Sequence, residues 1–189
     1  MHETSLGGTL RDYLTGEEIE ETTYEEFRQA LAKMLVEEKG YPKDRLRAKV
    51  DITYTIDGEQ FDRPVDLVVV GDDGQPIFLI IFCSGDVGSY ERETVCAARL
   101  IGETPASHAL VTDTMGASLM DVKTGECVGS GMTALPSWDE LQEMVAKADM
   151  QPLNDEQRER QTRILHTYSG FLFGSCCNES CSVPPKKKD

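Results

Sequence analysis

The chain is poor in the features that would place it in a membrane, outside the cell or on nucleic acid. Among 189 residues, no apolar run approaches the roughly 20 that a membrane-spanning helix needs. The opening Met-His-Glu-Thr-Ser has neither the basic nor the apolar part of a secretion signal. A cytoplasmic protein with no membrane partner is therefore expected. With no export signal, the six cysteines do not read as a disulfide framework. Basic residues are scarce: 19 Lys and Arg stand against 34 Asp and Glu, a formal net charge of −15. Three of the basic residues, Lys186, Lys187 and Lys188, fall in the last four positions, so the remainder is more acidic still. Proteins that hold DNA gain affinity by neutralising phosphates, and a surface of this sign repels them. There are three histidines, His2, His108 and His166, and no spacing supports a catalytic triad. Gly125, Gly129 and Gly131 precede no Lys-Ser/Thr at a helix start, so no phosphate loop is formed, and motor motifs are absent.

What is present suits one ordinary domain with tails. Residues 1–21, with Gly7-Gly8 and Glu17, Glu18, Glu20 and Glu21, read as a loose acidic leader. Thr23-x-x-Glu26 has the form of a capping box, followed by Phe27, Leu31, Met34 and Leu35 at helical spacing and stopped by Gly40 and Pro42. Ala48–Thr55 and Val65–Val70 read as strands. The turn Gly71–Pro76 leads into Ile77–Cys83, a run apolar on both faces that marks a central strand paired antiparallel to its predecessor. A helix over 90–102, a strand at Ala109–Val111 and a hairpin from Ser118 to about Val128 follow. Ser137-x-x-Glu140 and Asn154-x-x-Gln157 open two more helices, with Trp138 expected to pack on the sheet. The natural arrangement is an α/β fold, a mixed sheet with helices on both faces. The organisation expected is a leader at 1–21, a core at 22–150, a helix at 151–170 and a Cys/Lys-containing tail at 171–189.

Three groups of residues hold this order together: Arg28-Gln29 in the first helix, Gly40-Tyr41-Pro42-Lys43-Asp44-Arg45-Leu46 after it, and Arg63-Pro64-Val65-Asp66 opening the next strand pair. With Gln75-Pro76-Ile77 before the central strand, the stretch Tyr24–Leu141 resembles the amino-terminal domain family of type I restriction enzyme R subunits. That resemblance implies a restriction-endonuclease-like, PD-(D/E)xK fold. Its chemistry needs an Asp on one strand and an acid and a Lys two positions apart on the next, where the period-2 geometry of a strand aims both to one face. The carboxylates hold Mg²⁺, which activates water and steadies charge on phosphate.

Asp66 matches the first carboxylate. The acid and Lys positions fall on Phe82 and Ser84 around Cys83, and neither side chain can replace its counterpart. The family's helical Gln-x-x-x-Tyr motif is replaced by Arg92-Glu93-Thr94-Val95-Cys96-Ala97-Ala98, and Asp113-Thr114-Met115-Gly116 stands for Thr-Asn-Gly. The expectation is a nuclease fold without catalysis, Asp66 being vestigial and no cofactor needed, serving as an interaction module for a protein partner or a second copy. Nucleic acid is implied by the resemblance and opposed by the charge. One alternative is a Mg²⁺-dependent endonuclease whose further ligands have migrated to Glu26, Asp51 or Asp86. Another is a soft-metal or redox protein using Cys176, Cys177 and Cys181, with a fourth ligand from a partner, His166 or a core cysteine. Cys83 is expected to be buried and inert.

Overall fold

A computed structural model describes residues 5–169. In chain order the elements are β1 (Ser5–Arg11), β2 (Glu18–Thr22), α1 (Thr23–Glu37), β3 (Leu46–Ile56), β4 (Glu59–Val70), β5 (Pro76–Phe82), α2 (Glu91–Leu100), β6 (His108–Thr112), β7 (Ala117–Asp121), β8 (Cys127–Ser130), α3 (Trp138–Lys147) and α4 (Asp155–Ser169). Strands β3 to β8 form one six-stranded sheet in sequential order. The β5–β6 pair is parallel, joined through α2, and the other pairs are antiparallel. This is the mixed sheet that the sequence predicts.

The pleat of β5 explains why it reads as apolar throughout. Phe78, Ile80 and Phe82 enter a cluster with Leu31 and Leu35 of α1 and Leu141 of α3. Leu79 and Ile81 enter a second cluster with Cys96 and Leu100 of α2 and Leu165 of α4. A strand covered on both faces has no polar side to present.

Three local expectations are corrected. The first helix is capped one residue earlier than the capping-box pattern suggests: Thr22 Oγ1 accepts from Glu25 N at 3.1 Å. Its inner face is Tyr24, Arg28, Leu31, Ala32 and Leu35, while Phe27 is 47% exposed. A hydrophobic stripe cannot reveal a buried arginine, and the burial of Arg28 rotates the face. The segment read as a loose leader is, from Ser5 onward, an antiparallel hairpin whose tip buries Asp12. By contrast, the Ser137–Glu140 capping box and the reciprocal Asn154–Gln157 pair form where predicted. Trp138 meets Tyr41 edge-on at 5.5 Å between ring centroids.

Among the described residues, no helix is long and apolar enough to cross a membrane.

Candidate functional site

Asp66 lies on β4 against the end of β5 and beneath the first turn of α1. Its Oδ2 accepts from the backbone N–H of Phe82 at 2.6 Å, and its Oδ1 accepts from the Tyr24 hydroxyl. Burial pushes this carboxyl above its ordinary range, and the two hydrogen bonds work against that shift. Burial and the neighbouring Asp66 push the Tyr24 phenol up, so it stays a proton donor. Phe82 is 8% exposed, and its ring meets that of Tyr24 edge-on, with centroids 6.1 Å apart. The position where the resemblance expects an acid is thus an aromatic plug. Ser84, at the lysine position, is exposed just beyond β5, and its carbonyl accepts from the Tyr90 hydroxyl at 3.2 Å.

The residues weighed as migrated ligands do not gather here. Glu26, Asp51 and Asp86 are all exposed, and Asp86 Oδ2 accepts from Ser89 Oγ at 3.1 Å. Among the described residues, no three His, Cys, Asp or Glu side chains converge on a common point. A magnesium ion asks for about six oxygens in a near-octahedral shell. One carboxylate, with both oxygens already accepting from protein donors, does not fit that demand.

The groups that do gather were not legible as site residues. Arg28 Nε donates to Glu25 Oε2 at 2.8 Å and its Nη2 donates to Asp12 Oδ2, all three side chains being almost fully buried. Gln29 completes the grip: its Nε2 donates to Asp12 Oδ2 at 3.0 Å and its Oε1 accepts from Tyr13 N at 2.6 Å. Lys49 forms an ion pair with Glu25 Oε1, although that oxygen has no partner in hydrogen-bond alignment. On the other face, Arg63 Nε donates to Glu93 Oε1 at 2.7 Å, and Glu93 is fully buried. Glu93 lies in the segment where the resemblance expects Gln-x-x-x-Tyr. The hydrophobic pattern of the sequence does not mark positions 25, 28 and 93 as buried; their partners come from distant segments.

The remaining candidates separate from this cluster. Cys83 is buried, and burial, with Asp113 and Asp86 nearby, pushes its thiol up to about 11, which suits an inert thiol. His166 sits on α4, with its ring 4.5 Å from that of Phe61 and its Nδ1 3.4 Å from the Tyr54 hydroxyl. His108 opens β6 beside Ser107. Cys176, Cys177 and Cys181 lie outside the described residues.

A comparison with protein families matches residues 23–136 to the model described as type I restriction enzyme R protein N terminus (HSDR_N). The chain belongs to that family. The match starts at α1 and ends just before α3, so the β1–β2 hairpin precedes it. Several residues that carried the resemblance acquire structural duties. Arg28 and Gln29 hold the hairpin tip through Asp12 and Tyr13. Gly40 takes φ 77°, a left-handed conformation that ends α1 without a Cβ clash. Tyr41 donates to the Pro136 carbonyl at 3.0 Å, tying the segment after α1 to the start of α3. Asp113-Thr114-Met115-Gly116 is the β6–β7 turn, in which Asp113 Oδ1 accepts from Met115 N at 2.9 Å and Gly116 N at 2.7 Å. Searches of curated proteins and of solved structures return no match.

Proposed function

We propose that this chain is a non-cleaving member of the HSDR_N family that acts as an interaction module, binding a protein partner or a second copy of itself. The observation that carries this reading is the state of Asp66. Its two oxygens accept from Tyr24 and from the Phe82 backbone, while the neighbouring acid and lysine positions hold a phenyl ring and a hydroxyl. Phosphodiester hydrolysis on this scaffold depends on a divalent ion held by several oxygens. A carboxylate engaged in this way stabilises the junction of α1, β4 and β5. The net charge of −15 opposes a nucleic-acid partner and is compatible with a basic protein surface.

The test is incubation of the purified protein with supercoiled plasmid and Mg²⁺ or Mn²⁺. The expected result is unchanged plasmid. Metal-dependent nicking that disappears in Asp66→Ala would overturn the reading.

A further inference from the structure

We propose that a cleft between α2 and α4, at the end of the sheet away from Asp66, is a binding site for a small organic oxyanion, a phosphate ester or a polycarboxylate. Such a site is separate from the loss of cleavage and does not depend on it.

The cleft has a volume of about 480 Å³, the size of a small-molecule pocket. Its walls come from the last turn of α2, the turn after β7, the linker from α3 to α4 and the first turns of α4. Main-chain bonds place it. Val122 N donates to the Ser107 carbonyl and Ser107 N to that of Ile77, both at 3.1 Å, so the turn after β7 lies where β5 begins. Phe82 and Asp66 stand at the other end of β5. Arg99 of α2 fixes the same turn: its Nε and Nη2 donate to the Val122 carbonyl at 3.0 and 2.8 Å. Met150 and Leu153, both half-buried in the linker, supply an apolar wall.

Charge singles this cleft out. The chain carries a net −15, yet three cations, Arg99, Lys123 and Arg160, line the cleft against one carboxylate, Asp149. Asp149 is already engaged: its Oδ2 accepts from Lys123 Nζ at 3.4 Å and its Oδ1 from Gln151 Nε2 at 2.9 Å. Among the described residues, neither Arg99 nor Arg160 is in an ion pair with a carboxylate.

The neutral side chains repeat the asymmetry. Gln157 Oε1 accepts from Asn154 N at 3.0 Å, and Gln161 Oε1 accepts from Arg99 Nη1 at 3.4 Å and from Cys96 Sγ at 3.2 Å. A donor opposite each oxygen fixes the amide orientation and leaves each NH₂ as the spare group. The cleft therefore uses its acceptors internally and keeps donors for a ligand: the Arg160 guanidinium, two amide NH₂ groups and the remaining protons of Lys123. The matching ligand is negatively charged and rich in acceptors, with an apolar body against Met150 and Leu153.

Isothermal titration calorimetry of the full chain at physiological ionic strength, with pyrophosphate, ADP and citrate as probes, tests this site. At least one probe is expected to bind saturably with a dissociation constant below about 1 mM. Tighter binding of pyrophosphate or ADP assigns a phosphate ligand, and tighter binding of citrate a carboxylate. Arg160→Gln and Lys123→Gln change exposed side chains, so the fold should survive by circular dichroism. Each should weaken binding about tenfold or more, the scale of one lost hydrogen bond to a charged group. Arg163→Gln, on α4 but outside the cleft, should leave binding unchanged. No saturable binding of any probe below that limit would overturn the proposal, as would binding undiminished in the Arg160→Gln, Lys123→Gln double variant. Neither result bears on plasmid cleavage, which tests the non-cleaving reading separately.

Discussion

The backbone N–H of Phe82 donates to the carboxylate of Asp66 across the β4–β5 junction at 2.6 Å, and this bond fixes what Asp66 does. A carboxylate can accept both from that N–H and from the Tyr24 hydroxyl on the opposite oxygen. An asparagine has one oxygen and one NH₂, so it can accept from only one of these two donors; with its oxygen on the Phe82 N–H, its NH₂ faces the Tyr24 oxygen and the phenol proton loses the acceptor it had.

Asp66→Asn is therefore expected to destabilise the fold by about 1–3 kcal/mol, the usual cost of a buried polar group left without its partner. Urea unfolding of the two proteins measures it. A metal-binding aspartate held among other acids would behave oppositely, because removing one of several repelling carboxylates commonly stabilises a protein. An unchanged or increased midpoint in Asp66→Asn would assign Asp66 a functional rather than a structural role.

The Asp12–Arg28–Glu25 network carries a larger cost. Asp12→Ala leaves Arg28 with Glu25 alone and takes the acceptor away from Gln29 and from the Leu14 and Thr15 N–H groups, and it should lose about 3 kcal/mol. Burial alone would raise the Asp12 carboxyl, but the bonds from Arg28, Thr15 N and Gln29 outweigh it and hold it well below the usual range. Since the folded value is the lower one, the unfolded chain binds the proton more readily. The stabilisation is thus complete above the ordinary value of 3.8 and falls away as pH drops beneath it. Chemical unfolding should show an acid limb in the wild type that is diminished in Asp12→Ala.

How much of this was readable beforehand follows from which residues obey the hydrophobic pattern. The β5 run and the Ser137–Glu140 box were legible because burial and capping act through residue types that advertise themselves. Asp66, Phe82 and Ser84 were legible as a set only through the family spacing. Arg28, Glu25 and Glu93 were not, because their burial depends on partners supplied by distant segments: Asp12 from a hairpin read as loose, Lys49 from a strand read as regular and Arg63 from the neighbouring sheet face. Charge pairing over long sequence distance leaves no periodic trace.

The cysteines offer a check on the packing around β5 and α2. Burial pushes the thiols of Cys83 and Cys96 up to about 11, whereas Cys127 is exposed on β8. The thiolate is the reactive form, so iodoacetamide at neutral pH should label the peptide carrying Cys127 well before those carrying Cys83 or Cys96. Peptide mass mapping over a time course reads the order. Early labelling of Cys83 would mean that the end of β5 opens far more often than its buried position implies.

His108 gives the last prediction, on the dependence of stability on pH. Ser107 Oγ lies 3.0 Å from the Ile77 carbonyl, to which it can only donate, and 3.0 Å from His108 Nδ1, an arrangement that suits Nδ1 as a donor. The ring can therefore be neutral with its proton on Nδ1. Burial lowers its value from 6.5, against the opposing pull of Asp121, its cross-strand partner. With the folded value below the unfolded one, the unfolded chain takes up the proton first. The contribution of the neutral ring is full above 6.5 and is lost as pH falls through that value toward the folded one. The slope of this single group has a ceiling of about 1.4 kcal/mol per pH unit. Urea midpoints measured from about pH 7.5 down to about pH 5.5 should fall in the wild type and fall less in His108→Gln, the difference isolating this residue from the carboxylates. Parallel curves for the two proteins would mean that the ring is solvated in the folded state, against its burial at the start of β6.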